Sequence, residues 1–359
     1  MPQKVKSIIF LLPLVVFGLY IRLIGILAGN FGFTFDQGRD MLAASSIVQG
    51  KITLIGPTTG LAGVYHGPLW YYILALFSFL GQGDTRFVLT GIVFLFLIAE
   101  LFLFWTIKKY YGLFSGIFFF GFVSLSPVFS SLNGQLWSPN MTILSMIIAA
   151  AALIEIAHSK KMYWIILGLA LGANMQFEAA GGMFLLISVS LDLIFMHPPK
   201  EKLSDYAKGI ISFLLTLIPQ LLFELRHGFL MTKLILGYFG KTQQDFIAIY
   251  GQKSIEYKTG LFFDNFNQLF YPKNIMITLF LLLFIFLLFI KLTQKKNICS
   301  LQTRLILLVN TSIVFVTWVL VNLYKDEVWN HFLFGISVIF LNSLHFFLYR
   351  DAPSGLTSS

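Results

Sequence analysis

The sequence predicts an all-α, polytopic membrane protein, and three observations carry that prediction. Hydrophobic residues make up 57% of the 359 residues and charged residues 11%, with a mean hydropathy of +0.81. Apolar runs long enough to cross a ~30 Å hydrocarbon core recur along the chain. The formal charge of +9 is spread over small basic clusters between those runs, where it orients helices and meets anionic headgroups. That placement excludes nucleic acid as a partner and makes membrane lipids the expected one.

Lys4 and Lys6 precede the first run, 7–29, so the N-terminus is expected in the cytoplasm and the following loop, 30–86, on the outer face. The run is too long for a signal-peptide core and reads as a retained anchor. The next apolar stretch, 68–80, covers roughly 20 Å as a helix, short of the hydrocarbon thickness. If it crossed, Lys108-Lys109, Lys160-Lys161 and the basic segment 291–304 would all fall outside. If it lies at the outer interface they all fall inside, as the rule requires.

The expected spans are therefore 7–29, 86–107, 112–130, 141–157, 162–177, 179–196, 208–225, 274–291, 304–323 and 330–349, about ten in all. Inner loops, such as His197 to Lys202, are short and basic. Outer loops, including the long segment 224–273, hold ten of the sixteen acidic residues, a one-sided polarity that favours an enzyme with a membrane-embedded site. One transmembrane domain covers 1–350, followed by a short polar tail, 351–359, expected to be disordered, with no separate soluble domain. The single cysteine, Cys299, excludes an intrachain disulfide and a cysteine-built metal centre.

Chemistry concentrates in the first outer loop. Asp36, Arg39 and Asp40 stand at i, i+3 and i, i+4, so a helix from Phe35 toward Gly50 puts two carboxylates and a guanidinium on one face. The plainer account of Asp36 is a helix N-cap with a local ion pair. His66-Gly67-Pro68 opens the short interfacial helix, whose Leu69-Trp70-Tyr71-Tyr72 is typical of a membrane anchor. The remaining outer-face candidates are Tyr65, Arg86, Asn140, Gln176, Glu178, Arg226, His227 and His331. Arg22 and Glu100 lie within spans and require internal partners. No spacing joins His66, His227 and His331 into a metal site.

The ordered set Phe35-Asp36-Gln37-Gly38-Arg39-Asp40, Tyr65-His66-Gly67-Pro68-Leu69, Gly83-Asp84 and Arg86 resembles the first outer loop of GT-C glycosyltransferases that use lipid carriers. The family is glycosyltransferase family 39, with protein mannosyltransferase and aminoarabinose transferase relatives. Weaker likenesses run through Trp137-Ser138-Pro139-Asn140, 168–176 and 223–229. The resembled family begins this loop with an acidic pair, and Asp36 falls on its first position, which implies Asp36 as the catalytic carboxylate; Asp40, on the same helix face, is the candidate second carboxylate. Gln37 replaces the usual Glu, and Gly67 the first Pro of the proline run.

The resemblance further implies a bacterial inner-membrane enzyme with its site on the outer face, no cofactor, and a polyprenyl-phosphate sugar as donor. The sugar passes with inversion to a lipid, glycan or protein acceptor. Arg39, His66, Arg86 and Arg226 are the implied phosphate partners, arginine for its bidentate geometry. Gln37, Tyr65, Asn140, Gln176, Glu178, His227 and His331 are the expected pocket. The competing readings are a lipid-linked sugar transporter or flippase, which needs charge through the bundle, and a non-catalytic GT-C-like subunit, which Gln37 favours.

Overall fold

The computed structural model describes residues 3–196, 202–240, 254–270, 301–324 and 328–340. Among the described residues there is no β-strand, only an isolated bridge between Thr58 and Tyr65. The helices are α1 (Gln3–Leu27), α2 (Phe35–Val48), α3 (Leu69–Leu80), α4 (Thr85–Ser124), α5 (Pro127–Asn133), α6 (Met141–Ala157) and α7 (Tyr163–Phe177). They continue with α8 (Ala179–Met196), α9 (Leu203–Thr216), α10 (Ile218–Arg226), α11 (Leu230–Phe239), α12 (Ile255–Phe270) and α13 (Leu301–Leu323). A last stretch, Asn330–Phe340, opens with a 3-10 turn.

Among the described residues four helical stretches are long and apolar enough to cross a membrane: Ser7–Leu27, Thr85–Ser124, Ser138–Ala157 and Leu305–Leu323. A fifth exists if α9 and α10 are one bent span. The others are shorter; α7, at 15 residues, covers roughly 22 Å. The expected span 274–291, the end of 330–349, Lys325 to Glu327, Cys299 and the tail lie outside the described residues.

The 40 residues of α4 are not one rod, because Gly112 has φ 87° and ψ 168°. In a straight helix Phe104 and Phe120 would be roughly 24 Å apart, yet their rings stand 6.1 Å apart. The chain therefore reverses at Gly112, a conformation that favours glycine, and the arms 85–111 and 113–124 run antiparallel, in line with the expected spans 86–107 and 112–130.

Two expectations gain detail. The span 208–225 is two helices meeting at 52°, because Pro219, in the first turn of α10, cannot continue the α9 hydrogen-bond ladder. The segment 224–273, expected as a loop, contains the helices α11 and α12.

Packing explains the order of elements. Fifteen of the seventeen α6 residues are buried, as expected for a helix that is apolar on every side. Helices α7 and α9 touch through small residues: a Cβ on Gly168 would lie 2.1 Å from the Gly209 carbonyl, and one on Gly172 2.0 Å from Thr216 Oγ1. Helix α1 leaves Ile8, Phe10, Val16, Phe17 and Tyr20 exposed, an apolar face suited to lipid. Its other side carries Arg22, which meets Glu100 at 2.7 and 3.2 Å with both side chains 1% exposed.

Alternation of the helices sorts polar residues into two ends. Ser138 Oγ donates to the Phe177 carbonyl, Gln176 bonds the Thr216 carbonyl, and Lys258 bonds the Tyr324 carbonyl, all at one end. At the other, Lys109 and the Tyr110 hydroxyl hold the buried Glu155, while Lys161 and Lys208 hold Asp205. The lysine-rich end and the end bearing the first loop are thus opposite, because α6 leaves one for the other and α7 returns.

Candidate active site

The site is built on α2 and the loop that follows it. Thr34, not Asp36, is the N-cap of α2: Gln37 reaches back so that its amide oxygen accepts from the Thr34 backbone N–H and hydroxyl. This reciprocal arrangement needs Gln or Glu at the third helical position, which accounts for a capping residue there. Relieved of capping, Asp36 stands in the first turn beside the positive end of the helix dipole.

Arg39 then binds two carboxylates at once. Its Nη1 lies 3.0 Å from Asp36, and its Nε and Nη2 donate to Asp40 Oδ1 at 2.9 and 2.8 Å. Trp70 Nε1 donates to the other Asp40 oxygen at 2.8 Å, so the four groups form one unit joining α2 to α3. The two acids differ in surroundings: the Asp36 side chain is 50% exposed and that of Asp40 1%. Burial lifts Asp40 above the ordinary carboxylate range, against the opposing pull of Arg39 and Trp70. The neighbouring Tyr71 hydroxyl is pushed up to about 12, chiefly by burial and then by Asp40.

A second group lies behind the first loop. His66 is buried, and its Nδ1 accepts from the Ala179 N–H at 3.2 Å. Its Nε2 lies 3.8 Å from Glu178 Oε2, and His331 Nε2 approaches the same oxygen at 3.6 Å. Burial pushes Glu178 up to about 8. Burial, then His331 and Arg39, pushes His66 down to about 4. The Arg39 charge thus reaches the second group, and the two clusters are electrostatic neighbours. Trp137 meets the His331 ring edge-on at 5.0 Å.

Backbone contacts hold the loop in place. The Gly56 N–H donates to the His66 carbonyl and the His66 N–H to the Pro57 carbonyl, each at 2.9 Å. Gln176 accepts from the Gly67 and Leu69 N–H groups. A Cβ at Gly67 would lie 2.4 Å from the Gln176 side chain, which explains glycine at the position where the resembled family has proline.

No family model, curated protein or solved structure matches this chain. The site is therefore read from its own geometry.

That geometry unites Asp36, Arg39 and Asp40 in one cluster, and His66, Glu178 and His331 in another, with Gln176 supporting both through the loop. Other sequence candidates have local duties. Arg86 pairs with Asp84, the N-cap of α4, and both are exposed. Tyr65 packs its ring edge on Phe223, 6.0 Å away, and His227 stacks on the same Phe223 at 4.1 Å. Arg226 is exposed at the end of α10. Asn140 donates to the Leu132 carbonyl, and its side-chain oxygen is buried with no hydrogen-bond partner. Among the described residues no cluster of three His, Cys, Asp or Glu is arranged to hold a metal ion.

Sequence reasoning missed Trp70, Tyr71 and Trp137, read only as anchors or motif residues. The missed signal is that a buried indole N–H must find an acceptor; Asp40 is the acceptor for Trp70.

Proposed function

We propose that the protein is a membrane glycosyltransferase of GT-C type, which transfers a sugar from a polyprenyl-phosphate donor to an acceptor on the outer face. The observation that carries this reading is the asymmetry of the two acids on α2. Asp40 has both oxygens engaged inside the protein, whereas Asp36 is oriented by the same guanidinium and opens to the surface. An oriented, accessible carboxylate beside a cation suits general-base chemistry at a phosphate ester. The ordered motifs of the first loop support the same assignment.

In this reaction Asp36 takes the proton of the acceptor hydroxyl as its oxygen attacks the anomeric carbon. The carbon–oxygen bond to the phosphate breaks, and polyprenyl phosphate leaves with the bonding pair, inverting the centre. The phosphate is already a good leaving group, so cations rather than an acid assist its departure. Arg39, whose Nη1 also lies 3.4 Å from the exposed Thr58 hydroxyl, is the cation paired with Asp36, and the exposed Arg226 is a second candidate for the donor phosphate. Purified protein in lipid nanodiscs, given a polyprenyl-phosphate sugar and an envelope extract, should yield a glycoside of inverted anomeric configuration. Failure across hexosyl and pentosyl donors would count against the reading.

The topology that goes with it has about ten spans, an N-terminus in the cytoplasm, and the α2–α3 loop outside an inner membrane. The separation of lysine-rich and site-bearing ends supports this orientation by the positive-inside rule. Gly60 offers a direct check, being exposed with open space around a Cβ. A Gly60→Cys protein in intact cells is expected to react with an impermeant thiol reagent, with native Cys299 as the unlabelled internal control. Labelling only after lysis would reverse the orientation.

A further inference from the structure

Glu178 occupies the break between α7 and α8 with its side chain 4% exposed, and among the described residues the Ala180 N–H, at 3.3 Å, is its backbone hydrogen-bond donor. A buried carboxylate normally has a cation beside it. Among the described residues the groups facing it are His66 from the first loop and His331 from the start of the last described stretch. The Arg39 guanidinium, on α2, acts on His66 but is bound to Asp36 and Asp40. The His66 tautomer follows from its partner. Because Nδ1 accepts the Ala179 N–H, a neutral ring carries its proton on Nε2, which faces Glu178.

We propose that Glu178 works as a carboxylic acid rather than a carboxylate, a positioning residue that accepts from His66 Nε2–H and donates its own proton to His331 Nε2. The two separations, 3.8 and 3.6 Å, need to close by about half an ångström to become hydrogen bonds. The three residues come from widely separated parts of the chain, so one proton pins the loop bearing His66 against the helices behind it. The sign of the pH dependence follows. Glu178 is protonated below its raised value of about 8, and the pin is lost as pH rises through it. His66 acts oppositely, charging and disrupting the contact only as pH falls toward about 4.

The link to catalysis rests on the transferase reading, but the proton does not, and the experiment separates them. Infrared spectra of the full-length protein in nanodiscs, wild type minus Glu178→Gln, should show at pH 6.5 the carbonyl stretch of a protonated carboxylic acid, absent from the variant. That band should bleach with a midpoint near 8. His331→Asn should shift the band in an otherwise wild-type protein, which keeps the test open if the glutamine variant does not fold. Nitrogen shifts of labelled His66 should report an unprotonated Nδ1 and a protonated Nε2. In transfer assays Glu178→Gln should lose the alkaline decline and exceed Glu178→Ala by about tenfold, since alanine leaves the His66 donor unpaired. A carboxylate signature for Glu178 at pH 6.5, or a band that ignores His331→Asn, overturns the proposal. The band and tautomer without transfer from any donor uphold it and reject the transferase reading instead.

Discussion

Asp36→Asn is expected to lower sugar transfer by about 10²–10⁴-fold, the usual contribution of a general base. The loss should fall on kcat with KM little changed. Asparagine has the same size and keeps an oxygen toward Arg39, 3.0 Å away in the wild type, so the helix and its cap at Thr34 remain. Thermal unfolding in detergent should match wild type, which separates a lost proton acceptor from a lost fold. Asp40→Asn is a different lesion. It weakens an acceptor of both Arg39 and Trp70 in a buried place, so it should lower stability as well as activity. Equal turnover by Asp36→Asn and wild type would remove Asp36 as the base.

The second large effect lies far from the loop. Glu100→Ala is expected to destabilise the protein by about 3–5 kcal/mol, because it strands the Arg22 charge in the bundle. The pair meets at 2.7 Å with both side chains 1% exposed, joining α1 to the first arm of α4. Replacing both partners by methionine should recover most of that loss, since the desolvation cost disappears with the charges. Chemical or thermal denaturation of Arg22→Met, Glu100→Met and the double methionine variant makes the cycle. A double variant as unstable as the sum of the singles would mean that the pair matters for shape rather than charge.

Helical elements were largely legible because apolar runs must end where charge begins. The predicted 141–157 and 179–196 coincide with α6 and α8, and the reversal near 108–112 falls at Gly112. What hydropathy does not encode is direction within a run. Pro219 bends 208–225 and leaves helices too short to count as separate spans by length. The amphipathic α11, whose Met231 is buried while Leu236 is exposed, hid in an expected loop for the same reason.

Within the site, spacing found what lies on one helix, as with Asp36, Arg39 and Asp40. It found the members of the second cluster but not their meeting, because 66, 178 and 331 converge only through tertiary packing. Gln37 caps Thr34, a duty that the Glu of the resembled family would serve equally, so the cap explains a capping residue at this position and the change from Glu to Gln has no structural explanation. The Asp40–Trp70 bond was not visible from sequence at all, since an aromatic belt explains Trp70 equally well until its N–H is placed.

The central claim is that this chain moves a sugar outside the membrane with Asp36 at the reacting centre. The most direct measurement is mass spectrometry of envelope lipids and glycans from a deletion strain complemented with wild-type protein or with Asp36→Asn. The account predicts one glycoconjugate lost and its polyprenyl-phosphate sugar donor accumulated, both reversed by the wild type and neither by the variant. An unchanged envelope, or full restoration by Asp36→Asn, would contradict it.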